Sequence, residues 1–281
     1  MKPWMILAIV VSGLLLLSAC IAHRELVSSN AATGQPLGQP GAQRVPVVVE
    51  LFTSEGCSSC PPADAALIRL ERSQPVPGAE VIALGQHVDY WNDLGWADPF
   101  SSAAFSARQS AYAQAFRRDG VYTPQMVVDG QIEFVGSDFS KARDAIARAA
   151  RSPKAMVEVT QGARPSGSTT DVVPLLVRVG HLPAISPGDT PEVLLAVTEG
   201  DLRSSVSRGE NAGHRLSHSA VVRELRAVGR MDSAAAKDFS AETSVTIAGG
   251  WNRHHLRAVI FVQERVSRRV LGAAAISLAT E

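Results

Sequence analysis

Three consecutive segments decide the fold: VPVVVELF (Val45–Phe52), TSEGCSSC (Thr53–Cys60) and PPADAALIRL (Pro61–Leu70). The first is almost continuously apolar, as a strand buried on both faces requires. The second is a turn that carries two cysteines, Cys57 and Cys60. Pro61 and Pro62 fit the first turn of a helix, where the missing N–H groups have no intrahelical partner. Ala63, Ala66, Leu67 and Leu70 then recur at helical spacing, and the helix is expected to stop before Pro75.

Outward from there the pattern continues. Val81–Leu84 reads as a second buried strand, and HVDYWNDLGWADPF (His87–Phe100) as an irregular aromatic loop. A helix capped by Ser101 or Ser102 runs to about Arg118, with Phe105, Tyr112 and Phe116 on one stripe. Gln125–Val128 and Gln131–Val135 form a hairpin about Asp129-Gly130, and Ser140–Ala150 is a closing helix. A βαβ unit, a hairpin and a final helix, with CxxC between the first strand and first helix, is the thioredoxin or glutaredoxin pattern. After Pro153-Lys154 the chain changes to short β-rich runs: Met156–Thr160, Val172–Val179, Val193–Thr198, Ala220–Val228, Ser244–Ile247, Leu256–Gln263 and Val270–Leu278. The expected fold class is therefore an α/β thioredoxin-like (glutaredoxin-like) N-terminal domain over 45–152, followed by an all-β sandwich-like C-terminal domain over 153–281.

The CxxC position carries the chemistry. A helix N-terminus offers partial positive charge and unpaired N–H groups, which stabilise a thiolate. Cys57 is expected to be the exposed nucleophile and Cys60 the resolving thiol. An inert disulfide and half of a metal site stay open as alternatives, the latter with His87 as helper. Thr123-Pro124 stands where thioredoxin-like folds place a cis-proline facing the thiols, so Pro124 is expected to shape a substrate edge, with Thr123 in support. Glu50 interrupts an apolar strand, and burying a carboxylate is costly without a partner. It either carries protons for the thiols, pairs with an arginine or reaches the sheet rim. Asp89, Tyr90, Trp91, Asp93, Trp96 and Asp98 either line a cleft beside CxxC or form a loop pinned by aromatic packing. Glu210, Asn211, His214, Arg215 and His218 form a polar stretch suited to contact with the first domain or a partner. His254-His255 is a second histidine pair, and both histidine groups read as solvated loop residues before metal ligands.

The N-terminus reads as an export signal. Lys2 precedes an apolar run, Met5–Leu17, which is short for a membrane span and ends in Leu17-Ser18-Ala19-Cys20. That string resembles a bacterial lipobox, with Cys20 the lipidated residue; a plain signal peptide or uncleaved anchor is the alternative. Residues 21–44 read as a flexible tether after the signal at 1–20. This places the protein on the periplasmic side of a bacterial membrane, as an outer-membrane lipoprotein touching the bilayer through its lipid anchor. The 281 residues are 46% hydrophobic and 19% charged, with 27 Lys+Arg against 27 Asp+Glu. Zero net charge argues against nucleic-acid binding, which draws on a basic surplus, and three cysteines exclude a disulfide-rich mini-protein. No Gly-rich phosphate loop or G-x-S-x-G elbow is present.

VELFTSEGCSSCPPAD, HVDYWNDLGWADPF, YTPQMVVDG, GENAGHRLSHSAVVREL and LRAVIFVQE together resemble the domain-of-unknown-function 1223 family across about residues 45 to 280. The resemblance implies an exported bacterial protein with a thioredoxin-like part and a thiol–disulfide role; it supplies no substrate. The Pro-Pro pair after Cys60 and the long aromatic loop depart from ordinary thioredoxins. The expected function is thiol–disulfide exchange with another exported protein or a small thiol, without cofactor, resident metal or nucleic acid. The alternatives are a non-enzymatic binding or scaffold protein with a structural disulfide, and a copper or zinc chaperone using Cys57, Cys60 and His87.

Overall fold

The computed structural model describes residues 44–163, 171–231 and 238–279; the signal over 1–20, Cys20 and the tether up to residue 43 lie outside the described residues. Strand β1 (Val45–Thr53) leads through the cysteine turn to helix α1 (Pro61–Ser73) and back into β2 (Ala79–His87), parallel to β1. Gln74, the left-handed cap of α1, fixes that return by clamping Val81 with its side chain: Oε1 accepts from Val81 N (2.7 Å) and Nε2 donates to Val81 O (3.1 Å). Helix α2 (Ala103–Ala115), the hairpin β3 (Gln125–Val128) and β4 (Ile132–Val135), and helix α3 (Phe139–Ala149) follow. The second half supplies β5 (Met156–Gln161), β6 (Val172–Gly180), β7 (Pro191–Glu199), β8 (Leu202–Ser205), β9 (Arg215–His218), β10 (Val221–Arg230), β11 (Phe239–Thr246), β12 (Leu256–Glu264) and β13 (Val270–Ser277).

The two halves do not form two folds. Eight strands make one mixed sheet in the order β13-β12-β7-β10-β2-β1-β3-β4, with β11-β6-β5 as a second sheet and β8-β9 as a two-stranded ribbon. This overturns the expected fold class of an α/β thioredoxin-like N-terminal domain followed by a separate all-β sandwich. The protein is mostly β, with three α-helices among the described residues. The physical reason lies at the outer edge of β2. An unpaired strand edge exposes a row of backbone donors and acceptors, and here β10 takes it up in parallel, Val221 beside Gly85. Gly85 N donates to Ala220 O at 2.7 Å. A Cβ on Gly85 would lie 3.2 Å from Ser219 O, so a residue without one permits the approach.

Both faces of the long sheet are covered. On one face Val47, Val49 and Leu51 pack under Ala63, Leu67 and Leu70 of α1 and Ile146 of α3. Further along that face, Val193, Leu195, Val197, Ala258 and Ile260 meet Val173, Leu175 and Val177 of the three-stranded sheet. On the other face Val48, Ile82, Leu84, Leu194, Ala196, Val259 and Phe261 gather around Phe105 of α2. Each fully buried side chain of this kind contributes roughly 1.5–3 kcal/mol.

Glu50 lies on the α2 face and is fully buried. Arg108 grips it in a fork, Nε to Oε2 at 2.6 Å and Nη2 to Oε1 at 2.9 Å. Tyr112 Oη and Gln86 Nε2 also donate to the carboxylate, and Gln263 of β12 accepts from Arg108 and donates to Tyr112. Burial alone would raise the Glu50 pKa, but the Arg108 charge and these hydrogen bonds outweigh it and hold the carboxyl below its usual range. A carboxylate so depressed adds stability above its unfolded pKa of 4.5, and that stability is lost as pH falls through the lower folded value. Glu50→Gln leaves Arg108 buried without its counter-charge and is expected to cost about 3–5 kcal/mol in urea unfolding at pH 7. The double variant Glu50→Gln/Arg108→Met should recover part of that loss.

Candidate functional site

Where β1 ends, the chain turns so that Cys57 N donates to Ser54 O (3.2 Å) and Gly56 N to Ser54 Oγ (3.1 Å). Cys57 and Cys60 form a disulfide, with Cys60 as the N-cap of α1 and the two prolines after it. Ser58 and Ser59 between them are exposed, yet both cysteines have zero exposed surface. Cys57 is thus shielded in the oxidised protein, where its place in the motif led to an expectation of exposure.

The shield comes from both halves of the chain. Thr123 Oγ1 donates to Cys57 Sγ at 3.4 Å and accepts from Trp91 Nε1 at 2.9 Å. The Thr123–Pro124 peptide bond is cis. From the other side, Asn211 Nδ2 donates to Glu55 O (2.8 Å) and Cys57 O (3.0 Å), while Glu210 Oε2 accepts from Ser58 N at 2.9 Å. The polar stretch before β10 therefore closes on the cysteine turn, and β9 carries His218 against α1.

Beneath the turn lies a buried polar cluster. His218 Nε2 is 3.0 Å from Glu55 Oε1, and Trp96 Nε1 donates to Glu55 Oε2 at 2.8 Å. Asp98 Oδ2 accepts from Glu55 N at 2.8 Å and lies 2.7 Å from His87 Nδ1. The His87 and His218 rings meet edge-on, centroids 4.8 Å apart. His87 Nε2 and His218 Nδ1 are buried without a hydrogen-bond partner among the described residues. Asp64, one helical turn after Cys60, joins the cluster with Oδ2 at 3.9 Å from His218 Nδ1. Burial drives the Asp64 pKa up to about 7, with the Asp98 and Glu55 charges adding to the rise and His218 opposing it. Burial acts on Asp98 as well, but His87 and the N–H groups of Glu55 and Phe100 outweigh it and hold that pKa down.

Thr123 reaches Cys57, which is bonded to Cys60, and Pro124 follows Thr123 through the cis peptide bond. Glu50 does not join them: its hydrogen bonds go to Arg108, Tyr112 and Gln86. His87 is held by Asp98. Among the described residues no three His, Cys, Asp or Glu side chains are arranged to hold a metal ion. In the aromatic loop, Trp91, Trp96 and Asp98 reach the site, whereas Asp89 and Tyr90 are pinned to Ser106 and Gln109 of α2 and Asp93 is exposed. His214, His254 and His255 are exposed. Glu55 and Asp64 escaped the sequence reading. Asp64 left one signal, a carboxylate among Ala63, Ala66 and Leu67 on the buried side of α1, four residues from Cys60.

The chain belongs to a family of proteins of unknown function, DUF1223, whose model matches residues 48–263. Its structure is similar to that of protein AGR_C_4864 from Agrobacterium tumefaciens, at 26% identity and a TM-score of 0.61, over 85% of this chain and 96% of that one. It also shares the fold of HBP35 of Porphyromonas gingivalis, at 17% identity and a TM-score of 0.58, over 86% and 79% of the two chains. No curated protein matches the sequence.

Thr123 tests the local electrostatics. A hydrogen bond to an ionised group is worth about 1.5–3 kcal/mol, so Thr123→Val should raise the Cys57 thiol pKa in the reduced protein by about one pH unit. Iodoacetamide alkylation followed against pH reads this out, and Thr123→Ser should restore the native profile.

Proposed function

We propose that the protein carries out thiol–disulfide exchange at Cys57 and Cys60, with another exported protein or a small thiol or disulfide as substrate. The observation that carries the reading is the disulfide at the start of α1 with the Thr123 hydroxyl on the Cys57 sulfur. In the reduced protein the Cys57 thiolate, favoured by the helix N-terminus and by Thr123, attacks one sulfur of the substrate disulfide. A mixed disulfide forms and the other substrate sulfur leaves as a thiolate, which takes a proton from water. Cys60 then attacks Cys57 Sγ, the Cys57–substrate bond breaks, and the second substrate thiolate leaves and is protonated. The protein dithiol is oxidised and the substrate disulfide is reduced to two thiols; the reverse sequence oxidises a substrate.

The site of action is the periplasmic face of a bacterial membrane, a reading that rests on the Met5–Leu17 run and on Cys20 as lipid attachment point. In such a compartment a dithiol is readily reoxidised.

The complete burial of both sulfurs favours one other reading, a binding protein whose disulfide is structural. Equilibrating the lipid-free protein in glutathione buffers separates the two. A reduction potential between about −120 and −270 mV is the expected result and lies in the range of exchange catalysts. A value below about −300 mV belongs to a structural disulfide and overturns exchange. Cys57→Ala should abolish reduction of a glutathione-linked reporter disulfide; under the structural reading it leaves partner binding intact.

A further inference from the structure

We propose that the tip of the β8–β9 ribbon, residues 206–214, is a latched cover over the cysteine turn, and that a substrate reaches Cys57 only when this cover lifts. The inference deepens the exchange reading and rests on it for its purpose. Exchange needs a substrate sulfur in contact with Cys57 Sγ, yet Cys57 and Cys60 have no exposed surface. A segment over the turn must therefore move before a thiol or disulfide can enter.

The ribbon is the segment free to do so. β8 and β9 pair with each other and belong to neither larger sheet, and a lone two-stranded ribbon has little stability of its own. Its base is fixed: His218 meets Glu55, Ser219 Oγ donates to Glu71 and Arg72 pairs with Asp201. Its tip closes on itself, Val206 N donating to His214 O at 3.0 Å and Gly213 N to Val206 O at 2.8 Å, so it moves as one piece. Within the tip Val206 and Asn211 are buried and the other residues exposed. The remaining neighbours of Cys57 are tied down. Thr123 leads through Pro124 into β3 and holds Trp91, and the aromatic loop is fastened to α2 through Asp89 and Tyr90.

Glu210 and Asn211 are the latch. Asn211 Nδ2 donates to Glu55 O and Cys57 O, and Glu210 Oε2 accepts from Ser58 N. Gly209 lies flat on the aromatic loop, where a Cβ would stand 3.1 Å from Trp96 Cβ. These contacts hold main-chain groups of the turn and neither sulfur, so the latch favours neither the disulfide nor the dithiol. Loosening it raises the rates of reduction and reoxidation together and leaves their ratio unchanged. A change in the stability of the disulfide itself would move that ratio.

The test compares the full-length protein with Asn211→Ala and Glu210→Gln. Reduction by dithiothreitol and reoxidation by oxidised glutathione are timed, and the redox midpoint is read in thiol–disulfide buffers. Asn211→Ala should quicken both reactions about tenfold, as the loss of two hydrogen bonds implies, with the midpoint equilibrium constant within about twofold of wild type. Glu210→Gln, a weaker acceptor for Ser58 N, should quicken both about threefold. Wild-type rates in both variants overturn the cover. So does a quickening in one direction alone with a moved midpoint, which belongs to an altered disulfide. Should Asn211→Ala not fold, Gly209→Ala takes its place, since its Cβ pushes the exposed tip off Trp96, and the same outcomes decide. A wild type that turns over no reporter disulfide while the variants show these access rates overturns exchange and leaves the cover standing.

Discussion

The hydrogen bond from Gly85 N to Ala220 O, with Val221 in parallel register beside Gly85, holds the architecture together. Without it the strands of the first half would end in a bare edge at β2, and those of the second half would form a sheet of their own. With it, β7, β10, β12 and β13 extend the sheet that carries the cysteines. The junction also fixes what precedes β10. His218 and Asn211 lie three and ten residues upstream of Val221, so pinning that strand helps to deliver both to the cysteine turn.

The site is accordingly a composite. β1 and α1 supply the disulfide, the segment before β3 supplies Thr123, the aromatic loop supplies Trp91 and Trp96, and the polar stretch of the second half supplies Glu210, Asn211 and His218. Two buried carboxylates face different fates. Glu50 has a forked arginine and two further side-chain donors, Tyr112 and Gln86, so it stays ionised at neutral pH. Asp64 has one imidazole at charge-contact distance and two acids nearby, so it holds its proton far longer. Both carboxyls are buried, and the difference follows from partner count and geometry.

The local elements were legible because their signals are local. Apolar runs mark β1 and β2, the Pro-Pro pair marks the start of α1, Asp129-Gly130 marks the β3–β4 turn, and Ser102 caps α2. Strand partnership was not legible, since no local pattern names the strand that takes the free edge of β2. One hint was present in Val193–Val197 and Ala258–Val262: runs apolar on both alternating faces belong to a strand covered on both sides. A two-layer sandwich exposes one face of each sheet, so these runs already pointed to the middle of a layered sheet. The Glu50 partner was open in the sequence for a similar reason. Arg108 sits on a helix whose apolar stripe, with Phe105 and Tyr112, gives no sign that the arginine turns inward.

The glycine at the β2–β10 junction has a consequence for synthesis. Chains emerge N-terminus first, and early segments collapse before later ones exist. The edge of β2 has no partner until β10 appears, far downstream. Until then the cysteine turn lacks Asn211 and His218, so its thiols stand open to oxidants and to other chains. Pairing order rather than local stability then decides when Cys57 and Cys60 become sheltered.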